Sequence, residues 1–157
     1  MARKLFLDLD GVLADFDRGV EAVTGKRPDE LSTRAMWAAL ARHPDFYATL
    51  ELMADARMLW DFCRPFEPTI LTGLPRGDWA EDQKRRWVRR MLGEKVRVIT
   101  TLSREKHKFA TSGAVLVDDR ASLREAWEAA GGIFVHHVSA ARSIAALTAL
   151  GFRPPDA

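Results

Sequence analysis

The stretch LFLDLDGV, residues 5–12, decides the fold that the sequence predicts. Its apolar residues are typical of a buried strand, which we expect from Lys4 to Leu9, and Asp10-Gly11 is typical of the turn that ends one. Two carboxylates, Asp8 and Asp10, interrupt the run, although burial of an unpartnered carboxylate is costly. Residues i and i+2 of a strand point to the same side, about 6–7 Å apart, so both acids can face one ligand.

After residue 68, short apolar segments alternate with amphipathic ones. This alternation predicts an α/β fold, a Rossmann-like parallel sheet with helices on both faces. We expect Asp78 to cap the helix that begins at Trp79. The predicted strands are 69–72, 96–99, 114–117 and 133–135, and the predicted helices are 79–92, 122–130 and 143–150.

The segment from about residue 17 to 52 has a different character. Its short amphipathic pieces are broken by Gly25, Pro28 and Pro44, and Ser32 is a candidate N-cap for a helix from Thr33 to Arg42. A further helix is predicted at 54–63. We therefore expect a single domain, residues 1–157, with a small helical cap inserted at about 17–52 after the first strand.

Composition excludes few classes of function but disfavours two. Lys and Arg total 24 and Asp and Glu total 22, so a net charge of +2 gives no bulk attraction to nucleic acid or membranes. No apolar run approaches the ~18 residues that a membrane span needs, and the single cysteine, Cys63, cannot form an intrachain disulfide. These features predict a cytoplasmic protein, and they leave a homodimer open.

Four groups of polar residues follow the predicted strands. Ligands of open parallel sheets bind beyond the carboxyl ends of the strands, so these groups are expected to converge on one site. They are Asp8 with Asp10, Thr72 with Gly73, Lys106, and Asp118 with Asp119.

The residue types at this edge indicate phosphoryl-transfer chemistry. Crowded carboxylates need a cation, and an oxygen-only ligand set with open positions favours Mg²⁺. The Thr72 hydroxyl, the Gly73 amide and the Lys106 ammonium are suited to bind a phosphate. One aspartate could then act as a nucleophile, giving an aspartyl-phosphate, and another as the general acid and base.

These motifs resemble those of the haloacid-dehalogenase-like (HAD) phosphohydrolases, in the same order. Within that superfamily, DLDGVLADF (8–16), WVRRMLGEK (87–95), SREK (103–106) and VLVDDR (115–120) look like the 5'(3')-deoxyribonucleotidase group. The resemblance implies Asp8 as nucleophile and Asp10 as general acid and base. It implies that Asp8, Asp118 and the Asp10 backbone carbonyl ligate Mg²⁺, with Asp119 acting from behind these ligands or through water.

The resemblance also implies a small phosphorylated substrate, with nucleoside monophosphates as the leading class. The nucleotidases carry an aromatic-rich stretch early in the cap, whereas residues 25–30 here contain no aromatic residue. Substrates therefore stay open between nucleotides, sugar phosphates and nucleic-acid ends, and a catalytically silent phosphate-binding domain is a further alternative. The remaining candidates for stacking on a base are Phe16, Trp37, Phe46, Tyr47 and Trp79.

Two assignments concern lysines. Lys108 lies two residues from Lys106 and rivals it as the phosphate ligand. Lys84 begins the basic run Lys84-Arg85-Arg86, which we interpret as the solvated face of a helix.

Overall fold

A five-stranded sheet forms the centre of the computed structural model, which describes residues 3–155. All strand pairs are parallel, and the strand order β3-β2-β1-β4-β5 places the first strand in the middle. This architecture confirms the predicted α/β, Rossmann-like class. The strands are β1 (Leu5–Leu7), β2 (Thr69–Gly73), β3 (Arg97–Thr101), β4 (Val115–Asp118) and β5 (Ile133–His136).

Within residues 3–155, six α-helices and five short 3₁₀ helices connect and cover the strands. No helix among the described residues has the length and the apolar character that crossing a membrane requires. The α-helices are α1 (Phe16–Thr24), α2 (Thr33–Arg42), α3 (Ala56–Cys63), α4 (Glu81–Met91), α5 (Arg124–Ala129) and α6 (Ala140–Ala149). The 3₁₀ helices are 28–30, 47–49, 64–66, 103–109 and 121–123.

The alternation of side chains along the strands divides the core in two. Leu5 and Leu7 of β1 belong to the larger apolar cluster, whereas Phe6 belongs to the smaller one. In the smaller cluster, the ring of Trp127 meets that of Phe6 edge-on at 5.6 Å between centroids. Its Nε1–H donates to the carbonyl of Ala114 at 3.0 Å. Both faces of the central strand are therefore buried.

The segment predicted as a cap packs directly on α4. The larger cluster includes Leu40 of α2 as well as residues of the sheet. The backbone N–H of Tyr47 donates to Gln83 Oε1 at 2.8 Å, and Trp87 Nε1–H donates to the Leu50 carbonyl at 2.8 Å. The insertion and the sheet thus share one core.

Several predicted boundaries differ from the structure. Asp78 does not cap α4, which begins at Glu81 after Ala80 with no side-chain cap. Strand β4 runs on to Asp118, because Asp118 pairs with His136 of β5. Residues 121–123 form a 3₁₀ turn before a shorter α5 than predicted.

Helix α6 begins at Ala140, three residues before the predicted start. Its Ser139 side chain accepts a hydrogen bond from the backbone N–H of Arg142 at 3.2 Å. Asp55, distant in sequence, accepts from the N–H of Ala140 at 2.7 Å. The Asp55 contact is tertiary, but the Ser139 cap is local, so the sequence did contain a signal for the earlier start.

We expect Ser139→Ala to lower the free energy of unfolding by about 1 kcal/mol, the usual value of an N-cap hydrogen bond. Urea denaturation followed by circular dichroism measures this. Ser112→Ala, at an exposed turn position, is the matched control and should leave the midpoint unchanged. Equal midpoints for the two variants would show that Asp55 alone caps α6.

Candidate active site

The strand ends bring three of the four predicted groups to one edge of the sheet. Asp8 follows β1 directly, Thr72 and Gly73 end β2, and Asp118 ends β4. Strands β1 and β4 are neighbours, and Leu7 is in register with Val117. Asp8 and Asp118 therefore leave the sheet side by side.

Asp8, Asp118 and Asp119 form an acidic group. One carboxylate oxygen from each lies within 4.8 Å of those of the other two. Gly11, with φ +82°, turns the chain after β1, and a Cβ there would collide with the Asp119 carboxylate. The glycine is thus needed both for the backbone conformation and for the approach of Asp119.

Lys106, rather than Lys108, lies at this group. Its Nζ donates to Asp8 Oδ1 at 2.9 Å and to Asp118 Oδ2 at 2.8 Å, and the residue is 3% exposed. Burial opposes the charged form of Lys106, but Asp8 and Asp118 outweigh it and raise its pKa. Lys108 instead pairs at the surface with Glu105 at 2.8 Å.

The charged neighbours shift the three carboxyl groups differently. Burial opposes ionisation of Asp8, but Lys106 outweighs it and lowers the Asp8 pKa. Burial and the Asp8 charge raise the pKa of Asp118 to about 6. Desolvation, with the charges of Asp8 and Asp118, raises the pKa of Asp119 to about 8. The group holds more negative charge than one ammonium neutralises.

The acidic group fits a divalent cation. Its donors are all carboxylate oxygens, the ligands that Mg²⁺ prefers, and a cation among them would relieve the mutual repulsion of Asp8, Asp118 and Asp119. The carboxylate of Asp10 lies outside this group. A ligand role for Asp10 would therefore use its backbone carbonyl, as the resemblance implies.

A second buried lysine, Lys84 of α4, was missed by the sequence interpretation. It is 1% exposed, so the prediction of a solvated face was wrong for this residue. Its Nζ donates to Asp10 Oδ2 at 2.8 Å, to Thr72 Oγ1 at 3.0 Å and to the Gly73 carbonyl at 2.6 Å. Trp87 and Val88, three and four residues on, are buried on the same side. That spacing was the available signal.

Asp10 occupies a different environment from the acidic group. Burial, reinforced by the nearby Asp8 charge, raises its pKa even though Lys84 opposes the shift. Its Oδ1 atom is buried and has no hydrogen-bond partner among the described residues. A carboxyl group of this kind holds its proton more readily than a surface acid, which suits a general acid.

An aromatic cluster adjoins Asp10 and Lys84. The Tyr47 ring stacks with the rings of Phe16 and Trp79, with centroid distances of 6.2 and 5.5 Å, and Lys84 Nζ lies 4.4 Å from the Tyr47 centroid. Of the five aromatic candidates, Phe46 and Tyr47 are fully buried. The rings that keep an exposed portion are Phe16, Trp37 and Trp79.

Two solved hydrolase structures have similar folds. A hydrolase from Streptococcus pneumoniae TIGR4 is 16% identical, with a TM-score of 0.56 over 93% of this chain and 98% of that chain. A HAD-superfamily hydrolase from Ehrlichia chaffeensis is 11% identical, with a TM-score of 0.57 over 96% of this chain and 99% of that chain.

No protein-family model matches the chain, and no curated protein matches it either. The two structural similarities extend over nearly the whole of each chain, and their sequence identities are low. They show that this chain has the fold of those hydrolases, including one of the HAD superfamily.

Proposed function

We propose that this protein is a Mg²⁺-dependent phosphatase that hydrolyses small phosphomonoesters through an aspartyl-phosphate on Asp8. The observation that carries the proposal is the convergence of Asp8, Asp118 and Asp119 around Lys106 at the carboxyl edge of the sheet. Three carboxyl groups beside one buried ammonium suit the transfer of a phosphoryl group better than a purely structural role.

In the proposed reaction, the Asp8 carboxylate attacks phosphorus and the ester P–O bond breaks. The lowered pKa of Asp8 keeps this nucleophile ionised. Asp10 gives its proton to the departing alkoxide, since its pKa is raised. The Asp10 carboxylate then takes a proton from water, whose oxygen attacks the phosphorus, releasing phosphate and restoring Asp8.

Bound Mg²⁺ would supply positive charge that lets an anionic carboxylate meet an anionic phosphate. The residues that would hold the ion are Asp8, Asp118 and Asp119, with the backbone carbonyl of Asp10. The carboxylate donors of Asp8, Asp118 and Asp119 already lie within 4.8 Å of one another.

Thr72, Gly73 and Lys106 are the proposed phosphate ligands. The Thr72 hydroxyl accepts a hydrogen bond from Lys84, which leaves its own proton for a phosphate oxygen. Lys106 already contacts Asp8, the residue that would receive the phosphoryl group. Its ammonium is therefore placed to contact phosphate oxygens during transfer.

Nucleoside monophosphates are the substrate class that we favour. The aromatic cluster adjoins Asp10, since the Lys84 ammonium donates to the Asp10 carboxylate at 2.8 Å and lies 4.4 Å from the centroid of the Tyr47 ring. The partly exposed rings of Phe16, Trp37 and Trp79 offer faces on which a base could stack. Sugar phosphates and nucleic-acid ends are the alternative substrate classes.

The test is hydrolysis of 4-nitrophenyl phosphate by the purified chain. We expect turnover with Mg²⁺, loss of activity in EDTA and recovery on adding Mg²⁺ back. A panel of nucleoside monophosphates and sugar phosphates should then give higher kcat/KM for the nucleotides. Tight phosphate binding without turnover of any substrate would favour the silent domain instead.

A further inference from the structure

A cavity lies beside the proposed site, on the face of the sheet that α5 covers. Its volume is about 360 Å³, and it is bounded by the 103–109 helix, the 121–123 turn and α5. Leu116 and Trp127 form an apolar part of its wall. The side chain of Lys106 lines the cavity, whereas the Lys106 ammonium contacts Asp8 and Asp118.

The polar lining of the cavity is cationic. Arg104, His107 and Arg120 line it, together with two serines, and none of the described residues that line it is acidic. Many exposed arginines, Arg89 and Arg90 among them, make no ion pair within residues 3–155, whereas Arg18 pairs with Glu51 at 2.8 Å and Arg124 with Glu128 at 3.2 Å.

Arg104 and Arg120 differ from Arg18 and Arg124. Within residues 3–155, neither guanidinium is joined to a carboxylate by an ion pair. The hydrogen bond that Arg120 makes to Asp118, at 2.9 Å, comes from its backbone N–H and leaves its side chain free. Two guanidinium groups, each with a fork of donors, are suited to a tetrahedral oxyanion.

We propose that this cavity binds a phosphate-sized oxyanion in addition to the phosphate that reacts at Asp8. The oxyanion has two potential sources, a second phosphate on the substrate and a free anion that acts as an effector. Both are recognised by the same guanidinium chemistry. Only the choice of source rests on the proposed phosphatase function; binding in the cavity does not.

The test compares three forms of the full chain with sulfate as the probe. The cavity variant is Arg104→Gln with Arg120→Gln. The control is Arg89→Gln with Arg90→Gln, which removes the same charge from exposed positions at the end of α4. Sulfate should raise the melting temperature of wild type and control in a saturable way, and at least half of that rise should be lost in the cavity variant.

Equal sulfate stabilisation of all three proteins would overturn the proposal. The comparison holds even if no form hydrolyses a phosphate, since melting does not depend on activity. The melting temperature of each variant without sulfate verifies that it is folded.

Kinetics then identify the source of the oxyanion. If it is a second phosphate, the KM for adenosine 3',5'-bisphosphate should rise at least tenfold in the cavity variant alone, with 4-nitrophenyl phosphate unaffected. If it is a free anion, sulfate should change kcat for 4-nitrophenyl phosphate in wild type and control but not in the cavity variant. Either result supports the cavity as an anion site.

Discussion

Asp8→Asn is expected to lower kcat for 4-nitrophenyl phosphate at least about 1,000-fold, in line with the loss of a catalytic nucleophile. Asparagine has nearly the size of aspartate, but its amide cannot attack phosphorus to form an acyl phosphate. Lys106 keeps its contact with Asp118 at 2.8 Å. The variant should therefore fold, with circular dichroism and a melting temperature close to those of the wild type.

The matched control for this variant is Asp61→Asn, an exposed acid on α3. It removes the same charge at a residue outside the candidate site and should keep full activity. Trapping after brief exposure to radiolabelled substrate adds a second measurement, because wild type should carry acid-stable label and Asp8→Asn should carry none. Activity of Asp8→Asn near the wild-type rate would disprove Asp8 as nucleophile.

Lys84→Met should lower kcat about 100-fold, with a smaller rise in KM because Lys84 also donates to Thr72, a proposed phosphate ligand. Lys84 is a positioning residue in this proposal, because it holds the Asp10 carboxylate and does not contact the reacting phosphorus. General acid–base catalysis contributes about 10²–10⁴-fold, and a misplaced Asp10 would lose part of it. Methionine retains the apolar stem of lysine and removes the three donated hydrogen bonds.

Steady-state kinetics, read together with the melting temperature, separate the positioning of Asp10 by Lys84 from a merely structural role. Removing one partner of a buried ion pair typically costs about 3–5 kcal/mol of stability, so the melting temperature decides whether lost activity reflects lost folding. Arg89→Met, an exposed residue on the same helix, is the control and should match wild type. An unchanged kcat in a folded Lys84→Met protein would refute the positioning of Asp10 by Lys84.

The strand-end groups could be predicted because their signals are local. Asp8 and Asp10 interrupt an apolar run just before Gly11, and parallel strands bring their carboxyl ends to one edge whatever the loops do. The structure places Lys106 rather than Lys108 at that edge, a choice that spacing alone left open. Asp119 lies close to Gly11 because of the conformations of the loops after β1 and β4, and the sequence of neither loop predicts this contact.

The basic run around Lys84 masked the signal that its spacing to Trp87 and Val88 offered. A basic run on a helix is usually solvated, and the two residues after Lys84 do form surface ion pairs, Arg85 with Glu81 and Arg86 with Asp82. Whether a helix turns one lysine inward depends on what it packs against. Lys84 contacts Asp10 and Tyr47, which both lie more than thirty residues earlier in the chain.

The contacts of helix α4 restrict how the substrate specificity of this protein can be engineered. Gln83 and Trp87 anchor the inserted segment, while Lys84, between them in the chain, fixes Asp10. Replacing the inserted segment with that of a relative would disturb the contacts of Gln83, Trp87 and Lys84. In the proposed function, substrate recognition and proton transfer by Asp10 therefore cannot be changed independently. Directed changes of specificity should instead begin at Phe16, Trp37 and Trp79, whose partly exposed rings can vary without cutting either anchor.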